Sequence, residues 1–220
     1  MDFEAAAGGL GSMMSPRFIV LDGMDGAGKS SQLGTLADWL GAGGREIVTC
    51  RDPGSTPVGD AIRAILLDRH DLELDATAEM LLYMAARAQL VAEVVRPALA
   101  RGAWVVSDRY LLSNVVYQGH AGGLDPAAIR RVGDIATGGL APDLVLVLDV
   151  DLETAARRLS RPLDKLEDRG EAYRGRLRAG YLREAAADPK RICVIDATGT
   201  PAEVGERIRI AVGERFAELT

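Results

Sequence analysis

Arg17-Phe-Ile-Val-Leu-Asp22-Gly23-Met24-Asp25-Gly26-Ala27-Gly28-Lys29-Ser30 is the stretch from which the architecture follows. A short apolar run rich in β-branched residues, ending in a carboxylate and then glycines, reads as a buried strand feeding a tight turn. The spacing Gly23-x-x-x-x-Gly28-Lys29-Ser30 then opens a helical pattern reaching about Leu40. Backbone N–H groups of such a loop, with the helix N-terminus behind them, surround a phosphate. Lys29 is placed for the β- and γ-phosphates of a nucleotide and Ser30 for Mg²⁺. Asp25 stands oddly in a loop built for anions, since like charges repel. It reads either as the acceptor for a hydroxyl of a second ligand, a sugar 3′-OH being the natural candidate, or as a position that tolerates an acid.

Working outward, the strand–helix unit repeats. Arg45–Cys50, Ala103–Ser107, Asp143–Asp149 and Arg191–Ile195 read as further strands, and Thr77–Val95 and Arg169–Ala187 as long helices. Continuous apolar strands alternating with helices predict an α/β fold: a three-layer P-loop NTPase architecture, a five-stranded parallel sheet flanked by helices, with ligands at the strands' carboxyl ends. At 220 residues the chain suits one domain, taken as 17–220, preceded by an Ala/Gly/Ser-rich flexible extension over 1–16 that carries no export signal. With 48% hydrophobic and 26% charged residues it lies far from disorder-prone compositions. Its apolar runs are too short to span a bilayer. A net charge of −6 argues against a nucleic-acid polymer or an anionic membrane as partner. Cys50 and Cys193, with two histidines in all, make neither a disulfide framework nor a zinc cluster and point to a reducing, cytoplasmic setting.

Two further anchors lie at predicted strand ends. After Ala103–Ser107 come Asp108, an acid able to organise Mg²⁺ or its waters, and Arg109, whose guanidinium can fork onto a phosphate. Taken alone this pair reads equally as a structural ion pair. Residues 49–56 (TCRDPGST) follow the second strand, and residues 108–119 (DRYLLSNVVYQG) follow the third. With the acid-bearing loop, Tyr83 and Arg87 four apart on a helix, and residues 142–149 (PDLVLVLD), the chain resembles the thymidylate kinase family from about Arg17 to its C-terminus.

The resemblance implies phosphorylation of dTMP by ATP with Mg²⁺, in a homodimer. It implies that Gly23, Asp25, Gly26, Ala27, Gly28, Lys29, Ser30 and Ser31 bind ATP. Arg51 and Arg109 would grip the acceptor phosphate; Tyr83 would stack on the base, and Arg87 would donate to a base carbonyl. Asn114 offers an amide suited to the imide edge of thymine. Tyr117 would crowd the sugar 2′ position, Gln118 would add a polar contact, and Asp25 completes the acceptor site. Ser30, Asp108 and Asp52 would serve the metal. Asp52 stands where the family usually has Glu, and Ser55 replaces the second glycine of its turn. A mobile lid is implied at about 157–168, where Lys165 takes a usual arginine position and Pro162 replaces a more flexible residue. Since Gly26 brings no cation to the loop, transition-state charge falls to the lid, with Arg158 and Arg161 favoured beside Lys29, Arg109 and Asp108 as the catalytic set. Competing readings are a kinase for another nucleoside monophosphate and an inactive nucleotide-binding regulatory module. The [NT]-K-x-D signature of guanine-specific switches is absent: none of the three lysines follows Asn or Thr.

Overall fold

A computed structural model describes residues 15–159, 170–216 and 219. The expected lid from position 160 onward, Arg161, Pro162 and Lys165 included, lies outside the described residues, as does nearly all of the N-terminal extension. Strands β1 (Phe18–Asp22), β2 (Ile47–Arg51), β3 (Trp104–Asp108), β4 (Leu144–Asp149) and β5 (Ile192–Asp196) form one all-parallel sheet of order β2-β3-β1-β4-β5. The apolar pattern stops one residue early on β2, β3 and β5. Their ladders continue through Arg51, Asp108 and Asp196, pairing Arg51 with Asp108 and Asp149 with Asp196. Ladder hydrogen bonds belong to the backbone, so a charged side chain does not end them.

Every residue of β1 is buried, as are Trp104–Ser107 of β3 and Leu144–Leu148 of β4. Both faces are therefore covered, which is why these strands read as unbroken apolar runs. Helix α1 (Lys29–Gly41) packs on α9 (Pro201–Arg215) and against the sheet, while α8 (Glu171–Ala187) packs on β4 and β5. The remaining helices are α2 (Pro57–Leu67), α3 (Ala76–Leu90), α4 (Arg96–Ala100), α5 (Leu111–Asn114), α6 (Pro126–Thr137) and α7 (Leu152–Arg158). The helix expected over 77–95 is α3 extended through a π-helical turn, Val91–Val95, into α4. Local chemistry fixes several starts. Thr56 accepts from Gly59 N at 2.9 Å with Pro57 at the first helical position. Asp125 caps α6 before Pro126, and Thr200 with Glu203 forms a capping box before Pro201.

This register brings Asp22, Arg51, Asp108 and Asp149 to one edge of the sheet, beside the turn that enters α1. A second π-helical turn, Val115–Ala121, follows α5 and carries Tyr117 and Gln118. Among the described residues no helix is long and apolar enough to cross a membrane.

Candidate active site

The loop between β1 and α1 tolerates no side chain at two of its turns. Gly23 has φ +130° and a Cβ there would lie 2.5 Å from Leu148 O; Gly26 has φ +82° and its Cβ would lie 2.3 Å from Ala155 O of α7. The close approach of α7 at Gly26 explains why the loop carries no arginine of its own. Lys29 is buried, its Nζ donating to Gly23 O at 3.1 Å and Met24 O at 2.9 Å, with Asp25 Oδ1 3.6 Å away. Burial, then the nearby Arg109 guanidinium, lower its pKa, while Asp25, Asp108 and Asp22 oppose that shift.

Arg109 is the hub of the site. Its backbone is left-handed at φ +72°, a conformation that costs a non-glycine residue roughly 1–3 kcal/mol. Arg109 N donates to Leu21 O at 2.9 Å and Ser107 Oγ donates to Arg109 O at 2.8 Å, which holds it there. Its Nη2 donates to Asp25 Oδ1 at 2.5 Å and to Tyr117 OH at 3.2 Å. Its Nη1 reaches Gly23 O at 3.0 Å, Ser113 Oγ at 3.0 Å, Tyr181 OH at 3.3 Å and Asp22 Oδ1 at 3.4 Å. Beneath it Asp22, fully buried, accepts from Tyr181 OH at 2.6 Å, Ser113 Oγ at 2.7 Å and Gly23 N at 2.9 Å. Burial pushes the Asp25 carboxyl up, but Arg109 and Lys29 together outweigh it and hold it well below the ordinary carboxylate range. The acid that looked misplaced in an anion-binding loop is thus compensated within the protein. Tyr117 OH also donates to Asp25 Oδ2 at 3.0 Å.

Ser30 Oγ donates to Asp108 Oδ2 at 2.9 Å, and Asp108 Oδ1 is buried without a partner. A hydroxyl and a carboxylate with a spare oxygen are hard donors, the type Mg²⁺ selects, so these two residues fit such an ion. Asp52 lines the same cavity and forms a buried ion pair: its Oδ2 accepts from Arg87 Nε at 2.5 Å, with the side chains 0% and 1% exposed, while its Oδ1 is buried without a partner. The Asp52–Pro53 peptide is cis. Ser55 takes a left-handed φ of +64°, where glycine would be at ease, and its Oγ accepts from Arg51 N at 2.9 Å.

Asn114 and Gln118 are buried in series. Asn114 Nδ2 donates to Gln118 Oε1 at 2.8 Å, and Gln118 Nε2 to Glu79 Oε1 at 2.8 Å. Asn114 Oδ1 is left buried with no donor. Arg87 Nη1 points to Met84 Sδ at 3.1 Å and Nη2 to Tyr110 O at 3.3 Å, both weak partners beside the Asp52 contact.

Two cavities meet here. One of about 600 Å³ is lined by the loop from Asp25 to Gln32, Arg51, Asp108, Arg158, Pro201 and Val204. A narrow one of about 80 Å³ is lined by Tyr83, Arg87, Ser113, Asn114, Tyr117 and Gln118. Asp25, Asp52, Arg63 and Arg109 belong to both. Arg51, on the wall of the larger one, pairs with Asp60 at 3.1 Å. Arg158 donates to Ala197 O at 2.7 Å, Thr198 O at 3.2 Å and Gly199 O at 2.9 Å, clamping the turn between β5 and α9.

Sequence reasoning did not single out Asp22, Arg63 or Tyr181, nor the role of Ser113. Asp22 ends the first strand and Ser113 lies inside the quoted 108–119 motif, so both carried a signal. Tyr181, 159 positions from Asp22, carried none that a linear reading exposes.

A parallel sheet of this order, a glycine-rich loop between β1 and α1, and two cavities joined at an arginine–aspartate pair define a P-loop nucleotide-binding phosphotransferase. The family model described as Thymidylate kinase matches residues 21–208. A thymidylate kinase from Chromohalobacter salexigens is 46% identical over 209 residues, covering 93% of this chain and 99% of that protein. One from Oleidesulfovibrio alaskensis is 43% identical over 208 residues, covering 90% and 98%. The crystal structure of thymidylate kinase from Ehrlichia chaffeensis superposes with a TM-score of 0.74 at 26% identity, covering 90% of this chain and 99% of that one. The chain belongs to the thymidylate kinase family.

Proposed function

We propose that this protein transfers the γ-phosphoryl group of ATP to dTMP, giving dTDP and ADP. The observation that carries the reading is the shared wall: Asp25 and Arg109 face a roomy cavity walled by the phosphate loop on one side and a narrow one walled by Tyr83, Asn114 and Tyr117 on the other. ATP takes the first, with Gly23 to Ser31 around its phosphates and Lys29 exchanging its loop carbonyls for phosphate oxygens. Ser30 and Asp108 would hold Mg²⁺, which when bound would supply charge neutralisation on those phosphates. The acceptor takes the second. Arg109 and Arg51 hold its phosphate, with Arg63 beside them, and Asp25 receives the sugar hydroxyl. Tyr83 stacks on the base, Asn114 Oδ1 accepts from the imide N–H, and Gln118 keeps that amide oriented. Arg87 keeps Asp52 through Nε and turns its weakly engaged Nη groups to a base carbonyl.

Phosphoryl transfer needs alignment and neutralised charge more than bond-making by the protein. The acceptor phosphate has its second pKa near 6, so it is largely dianionic at neutral pH and attacks without a general base. Arg109 fixes the attacking group at the junction of the two cavities. Its left-handed backbone and its bonds to Asp25, Ser113 and Tyr181 leave it little freedom, so its orientation is prepaid. Arg158 holds the β5–α9 turn that walls the nucleotide cavity.

The chain further acts as a homodimer. Leu81 on α3 and Ile135 on α6, helices packed on one another, are 49% and 83% exposed, apolar side chains that a second copy would cover. A cytoplasmic setting fits two free thiols. A coupled ADP-release assay across all nucleoside monophosphates tests the main reading. Turnover with dTMP well above that with AMP and dGMP supports it; equal or better rates with either purine overturn it. Sedimentation at micromolar concentration tests the dimer.

A further inference from the structure

Helix α8 spends its arginines unevenly. Arg178 grips Asp149 with two bonds at 2.7 and 2.8 Å. Arg176 donates to Ala121 O at 3.2 Å and lies 5.6 Å over the Tyr173 ring. Arg174, in the first turn, has no acid within reach among the described residues, and its Nε is shielded from solvent with no acceptor. The side chain is half-buried, and a shielded N–H donor without an acceptor carries a cost that an anion within reach would relieve.

Its surroundings say which. Arg174 lines a small cleft with Met24, Asp25, Tyr117 and Leu159. That cleft shares Asp25 and Leu159 with the larger cavity, and Asp25 and Tyr117 with the narrow one. Arg174 therefore borders a cleft, walled mostly by apolar side chains, that adjoins both cavities. Asp25 does not satisfy it, being held by Arg109 at 2.5 Å and lying 3.6 Å from Lys29. Among the described residues, Gly26 leaves no room for a cation on that turn of the loop, and Arg158 is engaged with three carbonyls.

We propose that Arg174 is a further catalytic residue, donating its guanidinium N–H groups to the phosphoryl group in transit between donor and acceptor. This rests on the phosphotransferase reading above. An oxygen of the acceptor phosphate forms the new P–O bond, the bond from the γ-phosphorus to the β–γ bridging oxygen breaks, and its electron pair leaves with ADP. Arg174 gives up no proton; it binds the equatorial oxygens as their charge spreads.

The test is Arg174→Met beside Arg174→Lys. The readouts are kcat, both KM values, the thermal midpoint, and calorimetric affinities for dTMP, for a non-hydrolysable ATP analogue and for ADP with aluminium fluoride and dTMP. The Met variant is expected to lose at least about tenfold in kcat and about as much in affinity for the aluminium fluoride complex, which mimics the transition state. Affinities for dTMP and the ATP analogue stay within about twofold, and Lys recovers part of the loss. A kcat within about twofold of wild type, or a loss that the aluminium fluoride affinity does not follow, overturns the assignment. Should the Met variant not fold, Arg174→Gln replaces it under the same criteria. A wild type that turns over dTMP beside an unimpaired variant sinks only this assignment. A wild type that turns over no acceptor sinks the kinase reading and this assignment with it.

Discussion

Asp52→Asn separates two accounts of one carboxylate. Asp52 resembles a family position read from sequence as serving the metal, whereas the structure pairs it with Arg87 in full burial. Removing one charge of a buried pair costs roughly 3–5 kcal/mol, because the other is left uncompensated. Asn still offers Arg87 Nε an amide oxygen, and Arg87 keeps Met84 Sδ, Tyr110 O and the Tyr110 ring at 5.5 Å. The lower end, about 3 kcal/mol, therefore applies. For a domain of this size each kcal/mol moves the melting midpoint by roughly 2–4 °C, so calorimetry should record a fall of about 6–12 °C. Arg87 lines the acceptor cavity, so KM for dTMP should rise as its guanidinium drifts. The Mg²⁺ concentration giving half-maximal rate should stay put, since Ser30 and Asp108 are untouched. The double variant Asp52→Leu/Arg87→Met should regain most of the stability, a packed apolar pair replacing the ionic one. An unchanged midpoint together with a several-fold shift in Mg²⁺ dependence would refute this and put Asp52 at the metal.

Tyr181→Phe removes one of the bonds that Asp22 accepts without opening a cavity; at about 1.5–3 kcal/mol for a bond to a charged group, it should lower the unfolding free energy measurably in urea and raise KM for dTMP by loosening Arg109. Unchanged values of both would sever Tyr181 from Arg109. Asp25 is held below its unfolded-state value by Arg109 and Lys29, so its contribution is present above the ordinary carboxylate pKa of about 3.9 and is lost as pH falls from there toward its native value. Urea titrations from neutral to acid pH should show a shallower acid decline in Asp25→Asn than in wild type, and parallel curves would contradict the pairing. Burial pushes the Cys50 thiol up to about 12, so a thiol reagent at neutral pH should leave it unmodified in the folded protein and reach it only after denaturation. Peptide mapping that found Cys50 labelled under native conditions would count against that burial.

The fold was legible because its signals are local. Five apolar runs and a glycine loop specify their own geometry within a few residues, whereas sequence reasoning did not single out the helix starts at Thr56-Pro57 and Thr200-Pro201. Tyr83 and Arg87 could be placed on one helix face for the same reason. The site was legible as a roster but not as a wiring diagram. The left-handed backbone of Arg109, the Asp52–Arg87 pair and the Asn114–Gln118–Glu79 series depend on which side chains the sheet and helices carry into contact. Ser55 shows the limit from the other side. A serine where glycine fits the turn looks like a defect in the motif, yet its hydroxyl receives Arg51 N and so offsets the strain that φ +64° imposes.

The cations carry the same lesson into function. From sequence, an arginine-rich chain with a glycine at the loop position where a cation is wanted offers many candidates for phosphate charge, and the family resemblance ranks Arg158 and Arg161 among the first. What separates them is the partner each one already holds. Arg158 is tied to three carbonyls, Arg178 to Asp149 and Arg87 to Asp52, so each would have to break a bond before meeting a phosphate. Arg109 is also engaged, but its partners orient it at the junction of the cavities and leave it bordering both. An arginine whose donors are already satisfied gains little by binding an anion, whereas one with a shielded, unmatched donor, as Arg174 has at Nε, gains more. Availability, a property only the folded chain has, is therefore the better guide to which charge meets the transferred group.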